Sequence, residues 1–432
     1  MARVRPFAAY RYANAGRDLT SLTAPPYDVI SSTERAELLL QNPHNAVALE
    51  LPDGPLDASM PGNRYETGAN TWRQWRDSGV LARDEAAAIY VVEQRYTVGG
   101  KAIRRRAFVA EVGLEPFSAR IVLPHERTLP KALGDRFELT RATAANFSQV
   151  FGLFDDAAGE SDRLFGLITA GTPVARALDA DGVESTLWTA TDPDVGTRLT
   201  ALLADKPLFI ADGHHRYTTA LAYRDQRRDD ARAHGDSVVD PAYDFVMMAL
   251  VNMEDPELVV LPTHRVADCE GEFDSAVFYA GLSRHFTMTD VAIDSVDAAL
   301  DTLDVPGFVV MTSDDAAPRL ARLRDDVDID LAISLPRSEP WKHLDVTVLQ
   351  ELVLDSLLDI HPDRPETLER LRFVKDADEA LAATASHDVA FILRATRMDQ
   401  LRDVALAGET MPQKSTYFYP KLLSGLLFRS AE

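Results

Sequence analysis

The chain has 432 residues, a formal net charge of −23 and an apolar content of 46%. This length allows two domains, and the composition is typical of a globular protein with a sizeable core, which excludes a disordered chain. The negative charge argues against nucleic acid or an anionic membrane as the main partner, because either would need a basic surface. Cys269 is the single cysteine, so an internal disulfide is excluded.

The N-terminal residues are not followed by the apolar stretch of a signal sequence, and no segment reaches the length of a membrane span. The sequence also lacks internal repeats and low-complexity tracts. We therefore expect a cytoplasmic protein.

The first notable segment is residues 24–31, APPYDVIS, in which two prolines predict a rigid loop before a helix. Residues 46–51 are predicted to form a strand that ends at a Pro-Asp-Gly turn. Glu50 lies within this apolar run. It is either a polar outlier on the outer face of the strand or a carboxylate of a site.

A helix and a hairpin are predicted next. Residues 63–79 have the pattern of an amphipathic helix with core aromatic residues. Residues 88–96 and 104–112 flank the turn sequence TVGGK and predict a β-hairpin. The three arginines 104–106 are interpreted as a solvated strand edge protected by charge, with a local anion patch as the alternative.

Residues 123–136 form a dense polar stretch that mixes an imidazole, carboxylates and both cation types. Such mixtures in loops favour binding or catalytic sites, and the alternative is an ion-paired loop. Glu126 or Asp135 is a candidate general base or metal ligand. Three side chains are candidates for neutralising phosphate: Arg127, Lys131 and Arg136.

The centre of the chain reads LFIADGHHRYTTAL. Residues 208–211 predict a buried strand, Gly213 a turn, and the following residues a helix that packs one face on a sheet. Unpaired N–H groups and the positive end of the helix dipole would then meet at one point, which favours an anion. Arg216, one turn into the helix, has a guanidinium suited to phosphate or carboxylate oxygens.

Three polar residues surround this turn. Asp212 is expected either to cap the helix or to hold a metal ion. His214 and His215 point in different directions, so at most one is expected to face a ligand. The alternative is a capped helix with two partly exposed imidazoles.

Residues 243–253 are long and apolar, and residues 258–261 follow after a polar turn, which predicts a buried hairpin. His264 and Arg265 come directly after it, at a strand end where ligand sites commonly gather.

From residue 273 the pattern alternates between helix and strand and predicts a second α/β domain. Helices are predicted at 275–285, 296–303, 344–358, 377–385 and 398–407, and strands at 287–293, 307–311, 372–374 and 389–394. The predicted domains are residues 1–265 and 266–432.

Residues 408–421, GETMPQKSTYFYPK, contain a Lys-Ser-Thr sequence that invites comparison with a phosphate-binding Walker loop. The comparison fails because Gln413 replaces the second glycine and Pro412 interrupts the loop. Lys414, Thr416 and Lys421 would still reach an anion if this tail folds back onto the first domain.

Five segments together resemble a prokaryotic family of proteins with a domain of unknown function, numbered one thousand and fifteen. The resemblance covers essentially the whole chain. Its segments are APPYDVIS, HERTLPKALGDR, ADGHHRY, LPTHR and MPQKSTYFYPK, at residues 24–31, 125–136, 211–217, 261–265 and 411–421.

A more distant resemblance links residues 212–216 to the nucleotide-binding turns of sulfiredoxin, of ParB proteins and of free-serine kinases. The kinase turn, Asp-Gly-His-Thr-Arg, is the most similar, and His215 replaces its Thr. His214 stands where sulfiredoxin has its nucleophilic Cys, which argues against that chemistry. The resemblance implies an α/β protein with mixed sheets, in which a ParB/sulfiredoxin-like nucleotide-binding region with a large insertion precedes the second α/β domain. Glu50 and Glu126 are the candidates for the kinases' catalytic Glu.

The resemblance and the residues together predict a nucleotide-dependent phosphotransferase that acts on a small hydroxy compound such as serine, or the reverse phosphatase reaction. ATP or ADP is the expected co-substrate, and Asp212 or a second carboxylate is expected to hold Mg²⁺. Catalysis is assigned to His125, Glu126, Asp135 and His214. Phosphate or nucleotide binding is assigned to Asp212, Gly213, His214, His215, Arg216, Arg127, Lys131, Arg136, Lys414 and Thr416.

Two other functions are compatible with the same residues. One is a non-catalytic regulatory protein that binds nucleotide at the same turn. The other is a metal-dependent hydrolase that uses His125, His214 and His264. A homodimer is a candidate assembly, and no nucleic-acid or membrane partner is expected.

Overall fold

The computed structural model describes residues 1–13, 16–126, 130–235 and 239–432, without the side chains of residues 130–132 and 365. The chain forms two compact units. The first comprises Met1–Pro124, Thr128–Val259 and Pro420–Glu432, and the second His125–Arg127 and Val260–Tyr419. The division falls after residue 259 instead of the predicted 265, and the last residues belong to the first unit.

The strands in chain order are β1 (Val4–Arg5), β2 (Tyr10–Tyr12), β3 (Leu81–Arg83), β4 (Ile89–Val98), β5 (Lys101–Gly113), β6 (Val122–Leu123), β7 (Ala145–Asn146), β8 (Val150–Phe154), β9 (Ala175–Leu178), β10 (Glu184–Ala190), β11 (Leu208–Asp212), β12 (Phe245–Asn252), β13 (Val259–Leu261), β14 (His264–Ala267), β15 (Phe286–Asp290), β16 (Gly307–Thr312), β17 (Arg319–Leu323), β18 (Leu371–Val374), β19 (Val389–Ile392), β20 (Tyr417–Tyr419) and β21 (Arg429–Ser430).

The α-helices are α1 (Ser32–Gln41), α2 (Val47–Glu50), α3 (Arg64–Asp77), α4 (Pro130–Thr143), α5 (Glu160–Thr169), α6 (Pro193–Leu203), α7 (His214–His234), α8 (Ser275–Leu282), α9 (Val296–Asp301), α10 (Ile329–Ala332), α11 (Glu339–Lys342), α12 (Asp345–Leu349), α13 (Pro365–Leu368), α14 (Ala377–Ala382) and α15 (Met398–Leu406). Short 3-10 helices lie at Tyr27–Val29, Phe117–Ala119, Ala242–Asp244, Ile293–Ser295 and Ala383–Ala385, and a π-helix at Gln350–Asp355.

A mixed sheet organises the first unit. In the described ranges it has nine strands in the order β6-β11-β8-β12-β5-β4-β10-β9, with β1 added beside β5. The β6–β11 and β8–β12 pairs are parallel, and the other pairs are antiparallel. This sheet confirms the prediction of an α/β protein with mixed sheets.

The core of the first unit lies between this sheet and three helices. Alternate residues of β5, Phe108, Ala110 and Val112, point to one face, as the period of two in a strand requires. Leu164 of α5 and Leu199 of α6 pack on that face together with the first turns of α7. The beginning of α7 is therefore anchored to the sheet.

The predicted hairpin is confirmed as β4 and β5. Gly99 and Gly100 form its turn with φ values of +56° and +77°, a conformation that glycine adopts without steric strain.

The second unit contains its own mixed α/β arrangement. Within its described residues a sheet runs in the order β15-β17-β16-β19-β14-β18, and every pairing is antiparallel. Helices α9 and α14 pack on it through Val296, Leu300 and Leu381. The alternating helices and strands predicted after residue 273 are confirmed, although β17 was not foreseen. None of the helices in the described ranges is long and apolar enough to cross a membrane.

The strand predicted at residues 46–51 is wrong, because residues 47–50 form the single helical turn α2. Asn45 explains the difference. Its side-chain oxygen accepts from the Val47 N–H at 2.9 Å, and its amide donates to the carbonyl of Thr23 at 2.8 Å. A buried polar side chain thus binds the N–H of the first residue of a helical turn where the apolar pattern alone favoured a strand.

The hairpin predicted at residues 243–261 is also wrong. Strand β12 lies between β5 and β8, so both of its edges are occupied by strands other than residues 258–261. The apolar run of β12 reflects its central position, since such a strand is buried on both faces.

Replacing Glu111 by Gln is expected to lower the free energy of unfolding by about 3–5 kcal/mol, because it leaves a buried charge without its partner. Glu111 accepts from Arg429 Nε and from Arg5 Nε, both at 2.5 Å, and Arg429 is only 1% exposed. Urea unfolding measures the change.

The matched control is Glu160→Gln, which removes a solvent-exposed partner of Arg163 and Arg198. Exposed pairs contribute little to stability because water screens them, so equal losses in the two variants would contradict the assignment.

Candidate functional site

The turn predicted at the centre of the chain connects β11 to α7. Gly213 has a φ of +86°, which favours glycine, and the 21-residue helix α7 begins at the next residue. A Cβ atom added to Gly213 would lie 2.9 Å from Arg216 Nε. Glycine therefore permits both the turn and the close approach of the Arg216 side chain to the backbone.

Asp212, at the end of β11, holds two cations. Its Oδ2 accepts from Arg216 Nη2 at 2.6 Å, and its Oδ1 lies 2.6 Å from Lys421 Nζ. Burial by itself raises the pKa of Asp212, but the charges of Lys421 and Arg216 outweigh burial and hold this pKa well below its usual range. Asp212 is therefore a carboxylate that brings two cationic groups together in front of a helix N-terminus.

Lys421 is held in place through its backbone. Gln94 Nε2 donates to the Lys421 carbonyl at 3.0 Å. Arg105 Nη2 donates to Gln94 Oε1 and, at 2.5 Å, to the Pro420 carbonyl. These contacts fix the segment that carries the lysine, within the same unit as Asp212.

The interpretation of residues 104–106 as a solvated strand edge is wrong for Arg105, which is 1% exposed. Burial lowers the pKa of Arg105 to about 10, although the nearby Tyr96 and Asp212 oppose the shift. Its strand lies in the interior of the sheet, so the side chain between Arg104 and Arg106 points inward.

Glu50 and Arg136 form a second polar cluster in the first unit. Glu50 is 4% exposed and its Oε1 accepts from the Ser424 hydroxyl at 3.1 Å. Arg136 Nη1 donates to the Glu50 carbonyl at 2.8 Å and lies 3.7 Å from Glu50 Oε2. The ring of Tyr27 lies 4.3 Å from the Arg136 guanidinium carbon, a cation–π contact.

A small cavity of about 40 Å³ connects these residues with the turn. Glu50, Arg136, Tyr27 and Arg216 line it together with Thr219. Thr219 is 3% exposed, and among the described residues its hydroxyl has no hydrogen-bond partner. The cavity has room for a small polar group and holds an unsatisfied hydroxyl that such a group would satisfy.

The other predicted site residues of the first unit contact neighbouring side chains of the fold. Asp135 accepts from Arg136 Nη2 at 2.5 Å and from the Tyr65 hydroxyl at 3.1 Å, so its oxygens are engaged. His214 is buried and adds to the positive potential at Asp212, whereas His215 is half-buried.

Among the residues that the structure describes, four predicted site residues lie in the second unit. His125, 1% exposed, has its Nε2 2.8 Å from the Thr416 hydroxyl. Glu126 Oε1 accepts from the backbone N–H of Lys414 at 3.2 Å. Lys414 has a φ of +56°, an uncommon conformation for a residue with a side chain. Glu126 therefore holds a strained loop.

Arg265 supports the same loop. Its Nη2 donates to the carbonyls of Gln413 and Lys414 at 3.3 and 3.1 Å. Burial lowers the pKa of Arg265 to about 10, and the charge of Glu126 opposes the shift. Glu126 and Arg265 thus bind the backbone of the same loop, at residues 413 and 414.

His264 is buried and neutral. Its Nδ1 lies 3.2 Å from the Leu393 backbone N–H and accepts that hydrogen bond. Burial, assisted by the charge of Arg265, lowers the pKa of His264 to about 4.

Metal binding finds little support in the described ranges, where no group of three His, Cys, Asp or Glu side chains is arranged to hold an ion. The hydrolase hypothesis based on His125, His214 and His264 thus gains no support from the described residues and stays a prediction. Both oxygens of Asp212 are occupied by cations, which does not fit a ligand of Mg²⁺. Arg127 and the side chain of Lys131 lie outside the described residues.

Sequence reasoning did not identify Gln94, Thr219 or Ser424. Gln94 lies between Glu93 and Arg95 in the polar part of β4, where no local pattern indicates that its side chain is buried. Thr219 and Ser424 follow no pattern that separates them from ordinary polar residues.

A family model described as a protein of unknown function, DUF1015, matches residues 4–347. No curated protein sequence matches the chain. A free serine kinase in complex with AMP has a similar structure, with 12% identity, a TM-score of 0.33 and coverage of 72% of this chain and 86% of that one.

Two other solved structures are similar to the chain. SbnI with a C-terminal truncation, from Staphylococcus aureus, has 10% identity and a TM-score of 0.36, and the match covers 74% of this chain and 86% of that one. A conserved hypothetical protein from Pyrococcus furiosus has 13% identity and a TM-score of 0.32, with 73% and 93% covered. With such TM-scores, the function has to be inferred from the residues of this chain.

Gly213→Ala is expected to lower the free energy of unfolding by about 1–3 kcal/mol more than Gly182→Ala, because the new methyl group displaces Arg216 from Asp212. Gly182 is a matched control. Its φ is +79°, but a Cβ added there meets no atom within 4 Å. Urea unfolding of both variants measures the difference, and equal losses would show that Arg216 is not held against the turn.

The stability of the protein is expected to fall as the pH drops from about 6.5 to about 4, by up to about 3 kcal/mol from His264. The folded state keeps this imidazole neutral, so as the pH falls the unfolded state binds the proton first. Proton binding then stabilises the unfolded state relative to the folded state. His264→Asn retains an acceptor for the Leu393 N–H and should show a smaller fall. The control is the exposed His343→Asn, and a pH profile of His264→Asn that equals the profile of the control would disprove the assignment.

Proposed function

The chain belongs to the DUF1015 family of proteins of unknown function, as its five segments predicted, and we propose that it is a nucleotide-dependent phosphotransferase acting on a small hydroxy compound such as serine, or the corresponding phosphatase. The observation that carries this proposal is the pairing of Asp212 with both Arg216 and Lys421 at the start of α7. Two cations and the backbone N–H groups of the first helical turn therefore lie together at the start of α7.

Phosphoryl transfer requires mainly positioning and neutralisation of charge, because the transferred group carries its negative charge over several oxygens. The N–H groups of the first turn of α7 bind phosphate oxygens of ATP or ADP, since the helix dipole favours an anion there. Arg216 and Lys421 neutralise the developing charge. Because Asp212 positions both of them before the ligand arrives, little reorganisation accompanies the reaction.

We assign Glu50 as the general base that accepts the proton of the attacking hydroxyl. Glu50 lines the same small cavity as Arg216, so a hydroxyl in that cavity would be close to both the carboxylate and the guanidinium. Glu50 accepts the proton as the oxygen attacks phosphorus, and the nucleotide leaves with the electrons of the broken bond. The cation Arg136 at 3.7 Å keeps this carboxylate oriented.

Glu126 receives a different role from the one predicted. Its contact with the backbone of Lys414 supports a function in holding the loop that carries Lys414 and Thr416. That Lys414 and Thr416 bind phosphate or nucleotide stays a prediction, and so do the catalytic roles of His125, His214 and Asp135.

Incubation of the full-length protein with ATP or ADP, Mg²⁺ and serine or phosphoserine, followed by phosphorus NMR, tests the proposal. Glu50→Gln is expected to lower turnover by about 10²–10⁴-fold while nucleotide still protects the fold against heat. Arg216→Gln is expected to lower both turnover and nucleotide protection.

Glu126→Gln is the matched control carboxylate, and it should retain more turnover than Glu50→Gln. The reverse order would reject the assignment of Glu50. If the wild-type protein is protected by nucleotide and yet no phosphorus species changes, it is a nucleotide-binding regulatory protein and the proposed reaction is wrong.

A further inference from the structure

A second cavity of the first unit is separate from the cluster at Asp212. It measures about 780 Å³ and shares no lining residue with the small cavity beside Arg216. Its volume is within the range of pockets that hold small molecules. Residues of α3, β2 and β3 line one side, among them Arg76, Tyr10 and Arg83.

Four of the eight charged side chains that line this cleft already have partners within the protein. Arg5 and Arg429 both pair with Glu111, and Asp84 accepts from Arg11 and from the Tyr90 hydroxyl. These groups are therefore occupied. The carboxylates of Glu85 and Glu432 are exposed and remain hydrated.

Arg76 and Arg83 differ from the other arginines of the cleft. In the part of the chain that the structure describes, neither forms an ion pair, and the buried Nε of Arg76 has no hydrogen-bond partner. A protein with a net charge of −23 has many carboxylates available to pair with a guanidinium. Two unpaired guanidinium groups in one cavity are therefore a feature that the fold itself does not explain.

Aromatic rings position Arg76, and the strand register places Arg83 beside one of them. The guanidinium carbon of Arg76 lies 4.8 Å from the Trp72 ring and 5.8 Å from the Tyr10 ring. Tyr10 is directly opposite Arg83 in the antiparallel pair of β2 and β3. Ring contacts stabilise the charge of Arg76 but accept none of its in-plane N–H groups, so its hydrogen-bonding capacity remains for a ligand.

We propose that this cleft binds a small organic anion, whose carboxylate or phosphate group pairs with Arg76 and Arg83 and whose apolar body packs against Tyr10 and Pro6. Guanidinium groups bind both kinds of acid through paired N–H donors. The site uses none of the residues of the proposed phosphotransfer reaction, so it stands whether or not that reaction occurs.

Isothermal titration of the full-length protein with phenyl phosphate and with benzoate tests the proposal and distinguishes the two acids. Binding of at least one probe by the wild-type protein is expected. Arg76→Gln and Arg83→Gln should each weaken that binding about tenfold or more, which corresponds to about 1.4 kcal/mol.

Arg73→Gln is the matched control, because Arg73 is an exposed residue of the same helix that bonds to Asn70 and does not line the cleft. Arg83 is exposed, so its replacement leaves the fold intact and decides the outcome if Arg76→Gln does not fold. Arg216→Gln should not alter the affinity. The proposal is overturned if neither probe binds, if Arg83→Gln behaves like Arg73→Gln, or if Arg216→Gln removes the binding.

Discussion

The candidate site depends on one ion-paired arrangement, in which the Asp212 carboxylate holds Arg216 and Lys421, each at 2.6 Å. Arg216 comes from the helix that follows the aspartate, whereas Lys421 comes from the C-terminal segment. The two cations would repel each other without the carboxylate between them. In the proposed reaction, a phosphate group would meet two cations that are already in position, which is the condition under which charge neutralisation accelerates phosphoryl transfer.

Buried arginines hold backbone segments in each of the two units. Arg105 in the first unit donates to the Pro420 carbonyl, and Arg265 in the second unit donates to the carbonyls of Gln413 and Lys414. In each unit a desolvated guanidinium thus fixes a segment whose backbone has no helix or sheet of its own to hold it. Burial is unfavourable for each of these charges, as their lowered pKa values show, and bonds to carbonyl groups offset that cost.

The two candidate carboxylates illustrate how environment separates residues of the same type. Glu126 is bound to a backbone N–H of a strained loop, so its negative charge has a structural task. Glu50 faces a small cavity that Arg216 and the unsatisfied Thr219 hydroxyl also line. A carboxylate that acts as a general base must reach the ligand whose proton it accepts. This requirement favours Glu50.

The sequence by itself determined the elements whose signal is local. The Gly99-Gly100 hairpin, the strand, turn and helix around Gly213, and the alternating second unit follow from glycine geometry and apolar periodicity, which neighbouring residues express directly. Only the tertiary structure decided that residues 47–50 form a helix, that β12 is a central strand, and that Arg105 is buried. It also decided the pairing of Lys421 with Asp212. These features depend on partners distant in the sequence, such as Thr23 for Asn45 and Pro420 for Arg105, and no local pattern encodes which distant groups will meet.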